Sequence, residues 1–257
     1  MSAHVIPYAT IDTIFFDVGN TLISVDFDWV AAEVVQRGFT CTADRLRRAE
    51  AAARPRYSQR CVDGSVPPGD LFAAYLAAML GEAPGTAHLP EDQLSPLIAE
   101  LKAVLRPDGR ASVLWRSVMP RVRESLSWLS ERGVTLAVVS NSDGTVEQSL
   151  EAAGLRRYFT AVIDSSIVGF DKPDPRIFHV AIETCGARPE RTLHVGDLYH
   201  ADVEGARGAG LHALLLDPFD DWSVTDCERL PDVWSVAERV CARRNDAGTS
   251  NAALDAR

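Results

Sequence analysis

The chain has 257 residues, 46% of them hydrophobic and 24% charged, enough to bury a sizeable apolar core without disulfide or metal staples. Its 36 acidic and 26 basic side chains give a net charge of −10, which argues against broad contact with nucleic-acid phosphates or anionic membranes. Of the 26 basic residues only Lys102 and Lys172 are lysine, and the charge balance does not explain those two.

In chain order, TIFF (13–16) reads as a short apolar strand ending at Asp17. From residue 24 to 115 the pattern changes to Ala/Leu/Arg-rich segments with helical spacing: Trp29–Gln36, Ala43–Ala53, Leu71–Leu80 and Gln93–Leu105. DGSVPPGD (63–70) and GEAPG (81–85) break them apart, so this stretch is predicted as an all-helical insert. PRVRESLSWLSERG (120–133) then reads as a helix with Val122, Leu126 and Leu129 on one face and Gly133 past its end. The strand VTLAVVS (134–140), a helix over 144–153, the strand AVID (161–164) and the helix DPRIFHVAIETCG (174–186) follow. TLHVGD (192–197) is a strand, a helix runs to Gly208, and LHALLLD (211–217) is another strand.

Alternating strands and helices with continuously apolar strands predict an α/β fold: a Rossmann-like parallel sheet covered by helices on both faces. The predicted core is 11–23 plus 116–242, interrupted by the helical insert 24–115, with a disordered tail over 243–257. Cys41, Cys61, Cys185, Cys227 and Cys241 are odd in number and widely spaced, which fits a reducing cytoplasm better than a disulfide framework or zinc site. No apolar run reaches the roughly 18 residues of a membrane span. Met1–Thr10 lacks the basic start of a signal peptide.

Polar residues fall where the strands stop: Asp17, Thr21, Ser140, Asn141, Asp197 and Asp202, with Lys172 in a loop. Open α/β sheets bind ligands beyond the carboxyl ends of their strands. Carboxylates, hydroxyl and amide donors and one lysine there suit a hard cation and an oxyanion.

FFDVGNTL (15–22), VVSNSDG (138–144), the lysine of FDKPDP (170–175) and HVGDLYHADVEGARGAG (194–210) resemble, in order, motifs I to IV of the haloacid dehalogenase (HAD) superfamily. The insert between motifs I and II resembles that family's helical C1 cap. The resemblance implies a Mg²⁺-dependent hydrolase, foremost a phosphatase acting on a small, anionic phosphorylated metabolite through an aspartyl-phosphate. It implies Asp17 as nucleophile and Lys172 as the catalytic cation, with Thr21, Ser140, Asn141 and Lys172 binding the transferring group. Asp17, the backbone carbonyl of Gly19 and Asp197 would hold the metal, with Asp202 supporting it from behind. Lysine suits that task as a compact point charge where arginine would bring a planar fork.

The sequence departs from the family's D-x-D-G-T phosphatase pattern, because Gly19 stands where a second aspartate would act as acid and base. Three readings stay open. One is a phosphatase that is slow, uses a substitute acid (Asp26, Asp28 or His200) or takes a good leaving group such as an acyl phosphate. Another is a metal-independent 2-haloacid dehalogenase, whose halide leaves without protonation. The third is a binding or regulatory protein that has lost turnover. GARGAG (205–210) reads as helix packing and a turn, since a nucleotide loop should open a helix. The insert's Arg45, Arg47, Arg48, Arg54, Arg56 and Arg60 read as a mixed charged surface, Trp29, Phe72 and Tyr75 as packing, and His179 and His194 as structural residues. The sequence does not specify the oligomeric state.

Overall fold

In the computed structural model, which describes residues 5–66, 71–107 and 114–242, Thr13–Phe16 forms strand β1 near the middle of a six-stranded sheet. The predicted tail, 243–257, lies outside the described residues. The strand order is β5-β4-β1-β6-β7-β8, with β4 at Thr135–Ser140, β5 at Ala161–Asp164, β6 at Thr192–Gly196, β7 at His212–Leu216 and β8 at Glu228–Leu230. All five pairings are parallel; in β1, Phe16 is in register with Val138 of β4 and Val195 of β6. Every residue of β1 and β6 is buried. Successive side chains of a strand point to opposite faces, so both faces of the sheet centre are covered, as the apolar runs predict.

Helices α5 (Val122–Glu131), α6 (Val146–Ala152), α7 (Ser165–Val168) and α8 (Pro175–Cys185) link the first strands. In α5, Val122, Leu126 and Leu129 are the buried face, and Gly133 beyond its end has a positive φ of 70°. After β6 the chain makes a π-helix, Tyr199–Glu204, continued by the short α9, Gly205–Gly208. A Cβ on Gly205 would lie 2.9 Å from the Pro173 Cα, which explains the glycine by close packing, as read from the sequence. Strand β8 and a last helix, α10 (233–242), extend the core beyond the predicted elements.

The chain divides into two compact units, Met1–Ile23 with Val118–Leu216 and Val224–Arg257, and Ser24–Ser117 with Asp217–Ser223. The second unit holds α1 (Phe27–Gln36), α2 (Ala43–Val62), α3 (Leu71–Glu82) and α4 (Glu91–Leu105). Val30 and Val34, Leu76 and Leu80, and Leu97, Leu101 and Leu105 repeat every three or four residues and meet in its own core, with Trp29, Phe72 and Tyr75 packed against it. Helix α2 runs past the predicted end at Ala53, through Pro55; the edge of Tyr57 against Tyr75, centroids 5.9 Å apart, holds its later turns on α3. The insert is not purely helical. Strands β2 (Ile23–Val25) and β3 (Trp115–Val118) pair where the chain leaves and re-enters the core.

Three of the insert's arginines are bound locally: Arg47 to Asp44, Arg48 bidentate to Asp221, and the buried Arg54 in a fork on Glu50. The loop after β4 is held from β5. Asp164, buried at the end of β5, accepts from the backbone N–H groups of Gly144 (3.2 Å), Val146 (3.3 Å) and Ser166 (3.0 Å). Removing an acceptor that serves three such donors costs about 1–3 kcal/mol. Asp164→Ala should therefore lower stability by that amount in urea denaturation, with Asp164→Asn intermediate; equal stability would show that the loop holds without it.

Candidate active site

Four polar groups converge at the carboxyl ends of β1, β4 and β6 in the core unit. Asp17 follows β1 directly, and its backbone N–H donates to the Val195 carbonyl of β6 at 2.9 Å, which fixes where its side chain starts. Ser140, the last residue of β4, donates its hydroxyl to Asp17 Oδ1 at 2.9 Å. Lys172 Nζ donates to the same oxygen at 2.7 Å and to Asp202 Oδ1 at 2.6 Å. Lys172 is 5% exposed, Asp17 8% and Asp202 1%, so this bridge is made away from water.

Burial works against the Lys172 ammonium, but the two carboxylates outweigh it and raise its pKa above the ordinary lysine value. Burial likewise opposes the Asp202 charge, while Lys172 and a hydrogen bond from His194 hold its carboxyl well below the usual carboxylate range. An ammonium has three donors. Two are used on Asp17 and Asp202, and the third is left for an oxygen of a ligand.

Asn141 positions the lysine. Its Oδ1 accepts from the Lys172 backbone N–H at 2.7 Å and its Nδ2 donates to the Lys172 carbonyl at 2.9 Å. The carboxamide expected to face a substrate is thus engaged on the loop that carries Lys172. Thr21 follows a turn in which Asn20 takes a left-handed φ of 52°, a conformation asparagine tolerates. The Thr21 hydroxyl is buried with no hydrogen-bond partner among the described residues, an arrangement that suits a bound acceptor.

Asp197, which follows β6, is buried as well. Asp202 sits on the π-helix, a form that recurs at functional sites. Its Oδ1 accepts from Lys172 and contacts His194 Nε2 at 2.9 Å, and its Oδ2 accepts from the Leu198 N–H at 2.9 Å. Both oxygens are occupied. The π-helix is tied down by Tyr199, whose phenol donates to Asp226 at 2.9 Å and is pushed up to about 12 by burial and that carboxylate. Among the described residues no three His, Cys, Asp or Glu side chains are already gathered as a metal cage.

Two of the three candidate substitute acids have local partners. Asp26 caps α1, accepting from the Trp29 N–H at 3.0 Å, and takes Arg116 at 2.7 Å. Asp28 lies exposed in the first turn of α1, and His200 pairs with Glu204 at 2.5 Å. The sequence reads His194 as a structural residue without naming its partner, and it assigns Gly196 no role of its own. A histidine within the apolar strand TLHVG needs a buried partner, and that was the available signal.

A Cβ on Gly196 would lie 2.1 Å from the Asp202 Cγ, so this glycine makes room for a carboxylate that three donors pin in place. Gly196→Ala should lower stability by about 1–3 kcal/mol, as overpacking does, measured by thermal or urea unfolding. An unchanged midpoint would mean that Asp202 moves freely.

A family model described as a haloacid dehalogenase-like hydrolase matches residues 11–210. The haloacid dehalogenase-like hydrolase domain-containing protein 3 of Bos taurus is 38% identical over 126 residues, 48% of this chain and 50% of that protein. The phosphoserine phosphatase of Thermus thermophilus is 38% identical over 99 residues, 38% of this chain and 40% of that one. The chain thus spans about half, or less, of the length of these curated relatives. Among solved structures, the magnesium-bound HAD-hydrolase YfnB of Bacillus subtilis aligns with a TM-score of 0.60 at 19% identity, covering 90% of this chain and 99% of that one, which shows a shared fold. With its motifs, its parallel sheet and a family match spanning most of its length, the chain belongs to the haloacid dehalogenase-like hydrolases.

Proposed function

We propose that the protein is a Mg²⁺-dependent phosphatase that transfers a phosphoryl group from a small anionic metabolite to Asp17 and then to water, in a reducing, cytoplasmic setting. The observation that carries this reading is the buried Lys172 bridge between Asp17 and Asp202. The phosphatase names of matched relatives, the Thermus thermophilus enzyme and the glyceraldehyde 3-phosphate phosphatase of Methanothermobacter thermautotrophicus, agree with it. Asp17 uses only Oδ1 for Ser140 and Lys172, so Oδ2 is the oxygen that attacks phosphorus. The bond from phosphorus to the leaving oxygen breaks; water then attacks the acyl phosphate and returns Asp17 as a carboxylate. The third Lys172 hydrogen and the unpartnered Thr21 hydroxyl serve the equatorial oxygens. Ser140 and Asn141 hold nucleophile and lysine in place.

The donor chemistry fits a hard divalent cation. Asp17, Asp197 and Asp202 are buried carboxylates, and the Lys172 ammonium offsets only part of their charge. Asp17, Asp197 and the Gly19 carbonyl would hold Mg²⁺, with Asp202 fixing the lysine beside it. When bound, the ion neutralises charge on the substrate's phosphoryl oxygens.

Gly19 brings no side chain to protonate the departing oxygen, and Lys172, held by two carboxylates, gives up its proton reluctantly. Leaving groups that are stable as anions are therefore preferred. With Mg²⁺, acyl and aryl phosphates should react faster than alkyl phosphates by about 10²–10⁴, the contribution of a general acid. Equal rates would reveal a substitute acid.

Gly19 also suits departing halide, which favours 2-haloacid dehalogenation as a second reading, so phosphate and halide release are scored together with and without chelator. Asp17→Asn should fold normally and lose about 10³-fold or more of the phosphate release. Full activity in that variant overturns the nucleophile, and metal-independent halide release from 2-chloropropionate replaces the phosphatase reading. Binding of Mg²⁺ or phosphate with no turnover of either substrate class supports a binding protein instead.

A further inference from the structure

Behind the lysine bridge lies a side chain that the mechanism has not used. His194 is the third residue of β6, in register with Phe15 of β1 and Ala213 of β7, and it is fully buried. The edge of Phe178 meets its ring, with centroids 4.9 Å apart at 80°. Burial pushes its pKa below the ordinary histidine value, against the pull of the Asp202 carboxylate beside it. A carboxylate can only accept, so Nε2 carries the ring hydrogen and donates it to Asp202 Oδ1 at 2.9 Å. The other nitrogen, Nδ1, is buried without a hydrogen-bond partner among the described residues. A buried polar atom left unmatched costs stability, so the histidine's one bond is retained at an expense that a leucine would avoid.

We propose that His194 is a positioning residue: its Nε2–H holds the Asp202 carboxylate, and through it the Lys172 ammonium, against Asp17. The geometry leaves Asp202 Oδ1 shared between His194 and Lys172, while Oδ2 is bound to the Leu198 N–H and Gly196 leaves the space for the carboxylate. Without the imidazole donor, Asp202 can rotate about its last bond and release one side of the lysine bridge. Its catalytic consequence rests on the phosphatase reading; the placement of the lysine does not.

The chain's composition allows a direct test, because Lys102 and Lys172 are its only lysines. Protein labelled with ¹⁵N-lysine has two side-chain ammonium groups to observe by NMR. The buried Lys172 ammonium should give a hydrogen-bonded signal protected from exchange. In His194→Leu that signal should shift and broaden, and in His194→Gln, whose amide N–H can replace Nε2–H, it should return. Unfolding midpoints of both variants confirm that folded protein is compared.

With the best phosphoester found for the wild type, His194→Leu should lose about 10–100-fold in kcat, the usual effect of removing such a supporting hydrogen bond, with KM little changed. His194→Gln should recover most of it. A packing role alone would lower the midpoint equally in both variants and leave the ammonium signal intact. An unaltered Lys172 signal in folded His194→Leu overturns the proposal. If the wild type turns over no phosphoester, the catalytic reading falls, and the ammonium comparison still decides whether His194 places the lysine.

Discussion

The site depends on one interaction, the buried ammonium of Lys172 between the carboxylates of Asp17 and Asp202. Taking a lysine and two aspartates out of water is costly, and only good geometry with further hydrogen bonds offsets that cost. Those bonds are present. Ser140 serves Asp17, His194 and the Leu198 N–H serve Asp202, and the Asn141 carboxamide grips the Lys172 backbone from both sides. For the proposed phosphoryl transfer, the bridge leaves Asp17 Oδ2 as the attacking oxygen and one ammonium hydrogen for a substrate.

The sheet makes this arrangement possible. Strands β1, β4 and β6 are adjacent and parallel, so Asp17, Ser140 and Asp197 emerge together at one edge. The loop after β4 is held by Asp164 from β5, and the turn after β6 widens into a π-helix that carries Asp202 back over Gly196. The same site charge explains the lysine. A chain whose basic residues are otherwise arginine apart from Lys102 has a lysine where a small point charge must fit between two carboxylates.

Much of the fold was legible because its central strands are unbroken apolar runs and its core helices are amphipathic. Strands β2 and β3 escaped notice: each is three or four residues long, and the pairing joins segments about ninety residues apart. Strand β8, ERL, has no apolar run, and α2 passes through a proline that reads as a stop. At the site, the ordered motifs pointed to Asp17, Lys172 and Asp202, which the structure brings together, and the spare lysine was visible in composition alone. The partners of Asn141, and of His194 beyond its reading as structural, were not legible. Each depends on a partner distant in sequence or across a π-turn, and an isolated histidine in a strand carries no period that names its contact.

The most direct measurement is mass spectrometry of enzyme quenched in acid during turnover of an acyl or aryl phosphate with Mg²⁺. The account predicts a phosphoryl adduct on the peptide containing Asp17, on that residue, which disappears when substrate is exhausted. Sustained phosphate release with no adduct on Asp17, or with the adduct on another residue, would contradict it.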